Sequence, residues 1–290
     1  MRWTDCRIVA FDTETTGLNP FDGDRIIEFG AVELHIGPDG GVADVTHHQM
    51  FVNPEMPIPR GATKVSGITD DDVADAPVFP KVALKVRRVL EDAILVAHNL
   101  VFDLNFIRSE FDRCGLYWPA TRAEVDTLPL SQRLLPELRS HRLESVCGAL
   151  DVPLDNAHRA NHDAEACGRV MVEIARRKGA PPELEAFVQW ADAVGPPPET
   201  GHLKLGQEGV AVFLDGPHKG ESVERHPDHL QWMTMALERR DGRWASRYPD
   251  SVREWGRRWL RVRAAGRSRT NPRSQGPTDW TLDPSPWVSR

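Results

Sequence analysis

The chain has 290 residues, of which 40% are hydrophobic and 27% charged, with a formal net charge of −7. At roughly 150 residues per domain this is a two-domain length. The composition is that of an ordinary soluble globular protein, which excludes collagenous, globally disordered and disulfide-scaffold classes.

No apolar run approaches the roughly 18 residues of a membrane span. The N-terminus, Met1 to Arg7, meets charges before any long apolar stretch. It does not read as a signal peptide, so a cytoplasmic location with no membrane partner is expected. Cys6, Cys114, Cys147 and Cys167 show no CxxC spacing, and are expected to be reduced, mostly buried thiols. The charge is unevenly placed. From Arg239 to Arg290 there are thirteen Arg, no Lys and five acids, so the rest of the chain is strongly acidic. A basic tail beside an acidic domain is one reading; carboxylates gathered to hold metal ions is another, since the formal count omits the ions' charge.

In chain order, Arg7 to Thr13 reads as a strand with an apolar centre, and Ile26 to Leu34 and His48 to Val52 read as two more. Gly-Pro-Asp-Gly-Gly at 37–41 supplies a turn between the last two, giving an antiparallel meander. Thr69 to Asp72 marks a helix start. Phe79 to Leu90 has helical apolar spacing, Ile94 to Ala97 is a short buried strand, and Leu100 to Cys114 a helix. Glu124 to Thr127 is a strand, followed by helices at Leu128 to Leu135, Arg142 to Leu150 and Asp163 to Arg177. Strands followed by alternating helices and strands predict an α/β fold with a mixed sheet flanked by helices. The three prolines in Gly195–Gly201 predict an extended spacer. The domain reading is therefore 1–180 as the main domain, 181–201 as a helix and Pro-rich linker, 202–250 as a small C-terminal module and 251–290 as an Arg/Trp-rich tail, partly disordered.

The sharpest chemical signal is Phe11-Asp12-Thr13-Glu14-Thr15-Thr16-Gly17. Asp12 and Glu14 are two apart on a strand and so face one side. Two carboxylates at the end of a buried strand are costly unless compensated, and a hard cation such as Mg²⁺ or Mn²⁺ does that through oxygen ligands. A second signal is His98-Asn99-Leu100-Val101-Phe102-Asp103, where a buried strand runs into a helix that carries Asp103 in its first turn. The third is His158-Arg159-Ala160-Asn161-His162-Asp163, with Asp163 opening a helix. Taken singly, each of these is as readily a solvated strand end, a helix-start acid or a loop histidine.

Together and in this order, Asp-x-Glu, His-Asn-x-x-x-Asp and His-x-x-x-x-Asp resemble the DEDDh group of DnaQ-like 3'-5' exonucleases, whose fold is ribonuclease H-like. Asn53-Pro54 with Ile58-Pro59, Gly67-Ile68-Thr69-Asp70, and Asp126-Thr127-Leu128 with His141-Arg142-Leu143 extend the likeness over about residues 7 to 180, toward the proofreading epsilon subunit of bacterial DNA polymerase III and its relatives. The resemblance implies that Asp12, Glu14, Asp103 and Asp163 hold two ions, Mg²⁺ or Mn²⁺, and that His158 is the general base. Two ions about 3.5–4 Å apart would serve the attacking and leaving oxygens of an in-line displacement, and an imidazole suits proton transfer near neutral pH. It also implies that Thr15, Thr16, Gly17 and Leu18 meet the terminal nucleotide and that His98 and Asn99 lie beside it, His98 in a positioning role.

A weaker likeness covers Val212-Phe213, Gly216-Pro217-His218-Lys219-Gly220 and Pro227-Asp228-His229-Leu230-Gln231-Trp232. These are similar to the small C-terminal module of exodeoxyribonuclease X-like proteins, departing by an inserted Pro-His. Trp232, Trp244, Trp255, Trp259, Trp280 and Trp287 are interleaved with arginines, a pattern that suits single-stranded nucleic acid, as well as a partial core with a solvated tail. The expected activity is 3'-5' exonucleolytic hydrolysis of single-stranded DNA to nucleoside monophosphates. The alternatives are an exoribonuclease of the same superfamily and a proofreading subunit acting through a DNA polymerase or repair partner. A catalytically silent nucleic-acid-binding module is disfavoured by the presence of all five residues.

Overall fold

The structure is a computed structural model. It describes residues 1–154, 159–192, 197, 200–206, 210–240, 243–249, 252, 253, 255–257, 259 and 260. The chain divides into two compact units, Met1–Ala193 and Val194–Arg290.

The first unit is built on a five-stranded sheet. Its strands are β1 (Arg7–Thr15), β2 (Ile26–Ile36), β3 (Val42–Phe51), β4 (Ala93–Ala97) and β5 (Ala123–Asp126), in the order β3-β2-β1-β4-β5. β1, β2 and β3 pair antiparallel, whereas β4 is parallel to β1 and β5 to β4. The helices are α1 (Arg60–Ser66), α2 (Asp70–Val73), α3 (Phe79–Leu90), α4 (Leu100–Arg113), α5 (Thr127–Leu134), α6 (Leu143–Leu150), α7 (Ala160–Arg177) and α8 (Leu184–Asp192). This is the ribonuclease H-like mixed sheet with flanking helices.

β1 divides the core in two by simple alternation. Ile8 and Ala10 belong to the apolar layer shared with α6, α7 and α8. Val9 and Phe11 belong to the opposite layer, with Phe79, Val86, Phe106 and Phe111 of α3 and α4. Continuing the alternation aims Asp12 and Glu14 toward the α7 side and Thr13 toward α4. β1 reaches Thr15, two residues beyond the expected end at Thr13, so both acids lie inside the paired strand.

Two elements depart from the sequence expectation. β3 begins six residues earlier than expected, because it is an edge strand whose first eight residues are exposed or half-buried and so carry little apolar signal. α7 starts at Ala160, which makes Asp163 its fourth residue. All four cysteines are free, with Cys114 half-buried and the others buried. No helix among the described residues is long and apolar enough to cross a membrane.

Glycines seat α7 on the sheet. A Cβ on Gly30 of β2 would lie 2.2 Å from the Ala160 carbonyl carbon and 2.3 Å from the Asn161 nitrogen. A Cβ on Gly168 would lie 2.6 Å from Leu34 Cδ1 and 2.9 Å from Ala10 Cβ. Both contacts are closer than any side chain allows, so the helix start that carries Asp163 rests directly on backbone.

The second unit contains β6 (Leu203–Leu205) paired antiparallel with β7 (Ala211–Phe213), α9 (Pro227–Met235), and β8 (Leu237–Arg240) paired antiparallel with β9 (Arg243–Ser246). Leu203, Phe213, Val223, Leu230, Met233 and Val252 are among its buried residues, and Trp255 and Trp259 pack against this core. Trp232 is 41% exposed, with the Arg247 guanidinium 5.6 Å from its ring. Trp280, Trp287 and the Arg-rich segment beyond 260 lie outside the described residues, as do Ala193–Pro196 of the linker.

Gly30→Ala is expected to displace the first turn of α7 and destabilise the first unit by about 1–3 kcal/mol, the usual cost of overpacking. Denaturant unfolding of the first unit checks this.

Candidate active site

One strand and two helices bring the acids together. Asp12 and Glu14 come from β1, and Asp163 from the first turn of α7. Each of the three offers a carboxylate oxygen within 4.8 Å of the other two. Asp103 comes from the first turn of α4, four residues past that helix's N-cap Asn99. Asp163 likewise falls four residues past its N-cap, Arg159. Both acids therefore sit at helix N-termini, where the backbone dipole favours negative charge.

Asp103 is buried and arrives from the other core layer. Its Oδ1 accepts two hydrogen bonds from Thr13, one from the backbone N at 2.9 Å and one from Oγ1 at 2.7 Å. Thr13 thus holds α4's carboxylate against the strand between the two acids of β1.

The electrostatics show a site with surplus negative charge. Burial, and then the neighbouring Asp103, Glu14 and Asp163, hold the Asp12 carboxyl well above the usual range. Burial together with Asp163, Glu28 and Asp103 pushes Glu14 up to about 8, opposed by the Arg159 cation. Burial raises Asp103 to about 7, against the pull of the two Thr13 hydrogen bonds. A divalent cation placed among oxygen donors removes this penalty, and the all-carboxylate donor set matches a hard ion. The residues present therefore fit a hard divalent cation.

Glu28 was not legible as a site residue. It is fully buried on β2, directly across from Glu14 in the sheet register. Gln49 Nε2 donates to its Oε1, as does Arg159 Nη2 at 3.2 Å, and the Ala160 backbone N donates to its Oε2 at 3.3 Å. The Arg159 guanidinium also lies 5.3 Å from the Phe51 ring centre. Arg159 follows His158 in the chain, so this carboxylate anchors the residue next to the expected base. His158 itself lies outside the described residues.

The remaining predicted residues line the strand ends. His98 Nε2 donates to the His141 carbonyl at 2.8 Å, and Nδ1 lies 2.9 Å from Thr127 Oγ1. A carbonyl only accepts, so the ring is the Nε2–H tautomer and Nδ1 takes the hydroxyl proton. Burial holds its pKa low. Both ring nitrogens are thus committed to protein partners, and His98 ties β4 to α5 and to the segment before α6. Asn99 is exposed and left-handed, with φ 72. Asp126 supports this turn, accepting from the backbone N of Asn99 at 3.0 Å and of Leu100 at 3.2 Å.

Thr15 and Thr16 use their hydroxyls to shape the loop that follows β1. Thr15 Oγ1 donates to the Gly17 carbonyl at 2.6 Å, and Thr16 Oγ1 donates to Asp24 at 3.2 Å and accepts from the Arg25 N at 3.0 Å. A Cβ on Gly17 would strike the Asp24 carboxylate at 2.3 Å. The loop is fastened to α4 by Arg25 on the buried Glu110 (2.6 and 3.1 Å) and by Arg113 on the Pro20 carbonyl (2.7 Å). At its tip Leu18 is 85% exposed, with Phe21 close by in sequence at 75%.

A family model described as RNase T, exonuclease, matches residues 9–171. The chain belongs to this exonuclease family. DNA polymerase III PolC-type from Oceanobacillus iheyensis is 41% identical over 169 residues, which is 58% of this chain and 11% of that protein. The PolC-type enzyme of Bacillus subtilis is 35% identical over 168 residues, again 58% and 11%. The chain thus spans about a tenth of the length of these relatives.

Among solved structures, exonuclease I superposes with a TM-score of 0.55 at 17% identity, covering 92% of this chain and 71% of that one. E. coli exonuclease I in complex with a dT13 oligonucleotide gives 0.52 at 20%, covering 60% and 42%. The nuclease domain of 3'hExo, a DEDDh family member bound to rAMP, gives 0.50 at 22%, covering 59% and 92%. These are likenesses of fold.

Thr13→Val keeps the backbone hydrogen bond to Asp103 but removes the hydroxyl one. A buried carboxylate oxygen then loses a donor, and the expected loss of stability is about 1–3 kcal/mol. Chemical denaturation of the metal-free protein measures it.

Proposed function

We propose that this chain shortens single-stranded DNA from its 3' end, releasing nucleoside monophosphates, with two Mg²⁺ or Mn²⁺ ions held by Asp12, Glu14, Asp103 and Asp163 and with His158 as general base. The observation that carries the reading is the convergence of Asp12, Glu14 and Asp163 within 4.8 Å, with Asp103 held by Thr13 at their side. When bound, such ions supply an acidified water and offset charge on the phosphate and the leaving oxygen.

The chain's own residues supply the rest. His158 takes the proton of the attacking water, a role suited to an imidazole near neutral pH. The Glu28–Arg159 pair holds the adjoining helix start. Gly17 and Leu18 receive the terminal nucleotide, the leucine stacking on its base. The backbone turn at Asn99, braced by Asp126, offers the exposed Asn99 amide to the same strand.

The PolC-type relatives favour a second, compatible reading, in which the chain edits DNA ends beside a polymerase. Its test is co-purification with polymerase activity from cell extract.

Digestion of matched 5'-labelled single-stranded DNA and RNA with Mg²⁺ tests the main reading. A ladder receding from the 3' end of DNA, abolished by chelator and by Asp12→Ala, is the expected result. Preference for RNA would move the protein to the exoribonuclease branch. His158→Ala is expected to lower kcat by about 10²–10⁴ and to flatten the acid limb of the pH profile. Full activity in that variant would assign the base to another group.

A further inference from the structure

The second unit gathers imidazoles: four of the chain's 11 histidines lie between residues 202 and 229. Three polar side chains there converge. His218 and Glu221 lie on the turn after β7, and His226 is the N-cap of α9. One ligand atom from each lies within 4.8 Å of the other two. His226 Nε2 is 2.6 Å from Glu221 Oε2, and His218 Nδ1 is 3.9 Å from Glu221 Oε1. The two imidazole rings stack at 3.7 Å with an interplanar angle of 17°.

Neutral imidazole is a common metal ligand, and two such rings stand side by side here. The site has an apolar wall. His229 sets its ring edge-on to His218 at 5.0 Å, packs edge-on to Phe213 at 5.1 Å, and stacks on Trp232 at 5.3 Å. Around tetrahedral zinc, with Zn–N near 2.0–2.1 Å, donor atoms stand about 3.3 Å apart. Rotation of the two imidazoles out of their stack, about their own side-chain bonds, closes the remaining gap.

The fold gives such an ion something to do. Among the described residues the unit's apolar core has nine buried side chains, five of them on β6, β7 and α9. Units this small commonly depend on a disulfide or a metal, and the chain's four cysteines all belong to the first unit. We propose that His218, Glu221 and His226 form a structural zinc site that ties the turn after β7 to the start of α9, with the fourth position left to water. The donor set separates it from the catalytic centre: two nitrogens and one carboxylate suit zinc, whereas carboxylates alone suit Mg²⁺ or Mn²⁺.

The test uses the full chain carrying Asp12→Asn and Asp163→Asn, which silences metal binding at the catalytic acids. Equilibrium dialysis at micromolar free zinc is expected to leave one equivalent bound. Co²⁺ in its place is expected to show the strong visible bands of a four-coordinate ion. Zinc should also raise the melting transition followed by tryptophan fluorescence. His226→Ala should abolish retention. Glu221→Gln, at an exposed position that leaves the fold intact by near-UV circular dichroism, should weaken it at least tenfold. No zinc retained by the parent, or retention undiminished in both variants, would overturn the site.

Discussion

The constraint on which the first unit depends is charge crowding at one end of β1. Asp12, Glu14, Asp103 and Asp163 are brought together by three separate elements, with Glu28 buried one strand away. Folding concentrates negative charge where water is scarce, and the carboxyl groups respond by holding protons far above their usual range. Such a site is stable as a fold only because its neighbours are rigid and partial charges are aimed at it. Two helix starts, two hydrogen bonds from Thr13 and the Arg159 cation do part of this. A bound cation would do the rest, and the same need for positive charge suits the site to the phosphodiester hydrolysis proposed for it.

The scaffold achieves this by alternation and close approach. β1 sends even-numbered side chains to the α7 layer and odd-numbered ones to the α4 layer, so one strand serves both helices. Gly30 and Gly168 remove the side chains that would otherwise lift α7 off the sheet. The loop after β1 is closed by Thr16 and Asp24 and anchored to α4 by Arg25 and Arg113. Precision at the carboxylates therefore comes from backbone contacts and buried polar pairs spread over the whole unit.

The legible part of this was whatever leaves a local mark. Apolar runs gave β1, β2 and β4, and apolar spacing gave α3 and α4. The Asp-x-Glu pair on a strand and two helix-start acids were visible by spacing, and the likeness to DEDDh exonucleases put them in order. Contacts between distant segments left no such mark. Glu28 sits inside an apolar run and pairs with residues more than 130 positions away. Thr13 looks like a spacer between two acids until α4 is in place. The polar edge strand β3 lacked the alternation that betrays a half-buried strand, and His98 gives no sign in sequence that both its nitrogens are already taken.

The central claim is that the carboxylates oppose the fold until a cation joins them, and linkage between pH, metal and stability tests it most directly. Glu14 titrates near 8 and Asp103 near 7 in the native state, against roughly 4 when unfolded. Between those values the native protein holds more protons than the unfolded chain, so stability must fall as pH rises. His48, His98 and His141, held low in the native state, add an opposing slope that fades above pH 7 as the unfolded imidazoles lose their protons. The measurement is the first unit's thermal midpoint from pH 7 to 8.5, metal-stripped and with saturating Mg²⁺. The account predicts a midpoint that falls with pH in the stripped protein, less steeply in Glu14→Gln, and a Mg²⁺ stabilisation that grows toward pH 8.5. A stripped midpoint that stays level or rises, or a Mg²⁺ effect independent of pH, would contradict it.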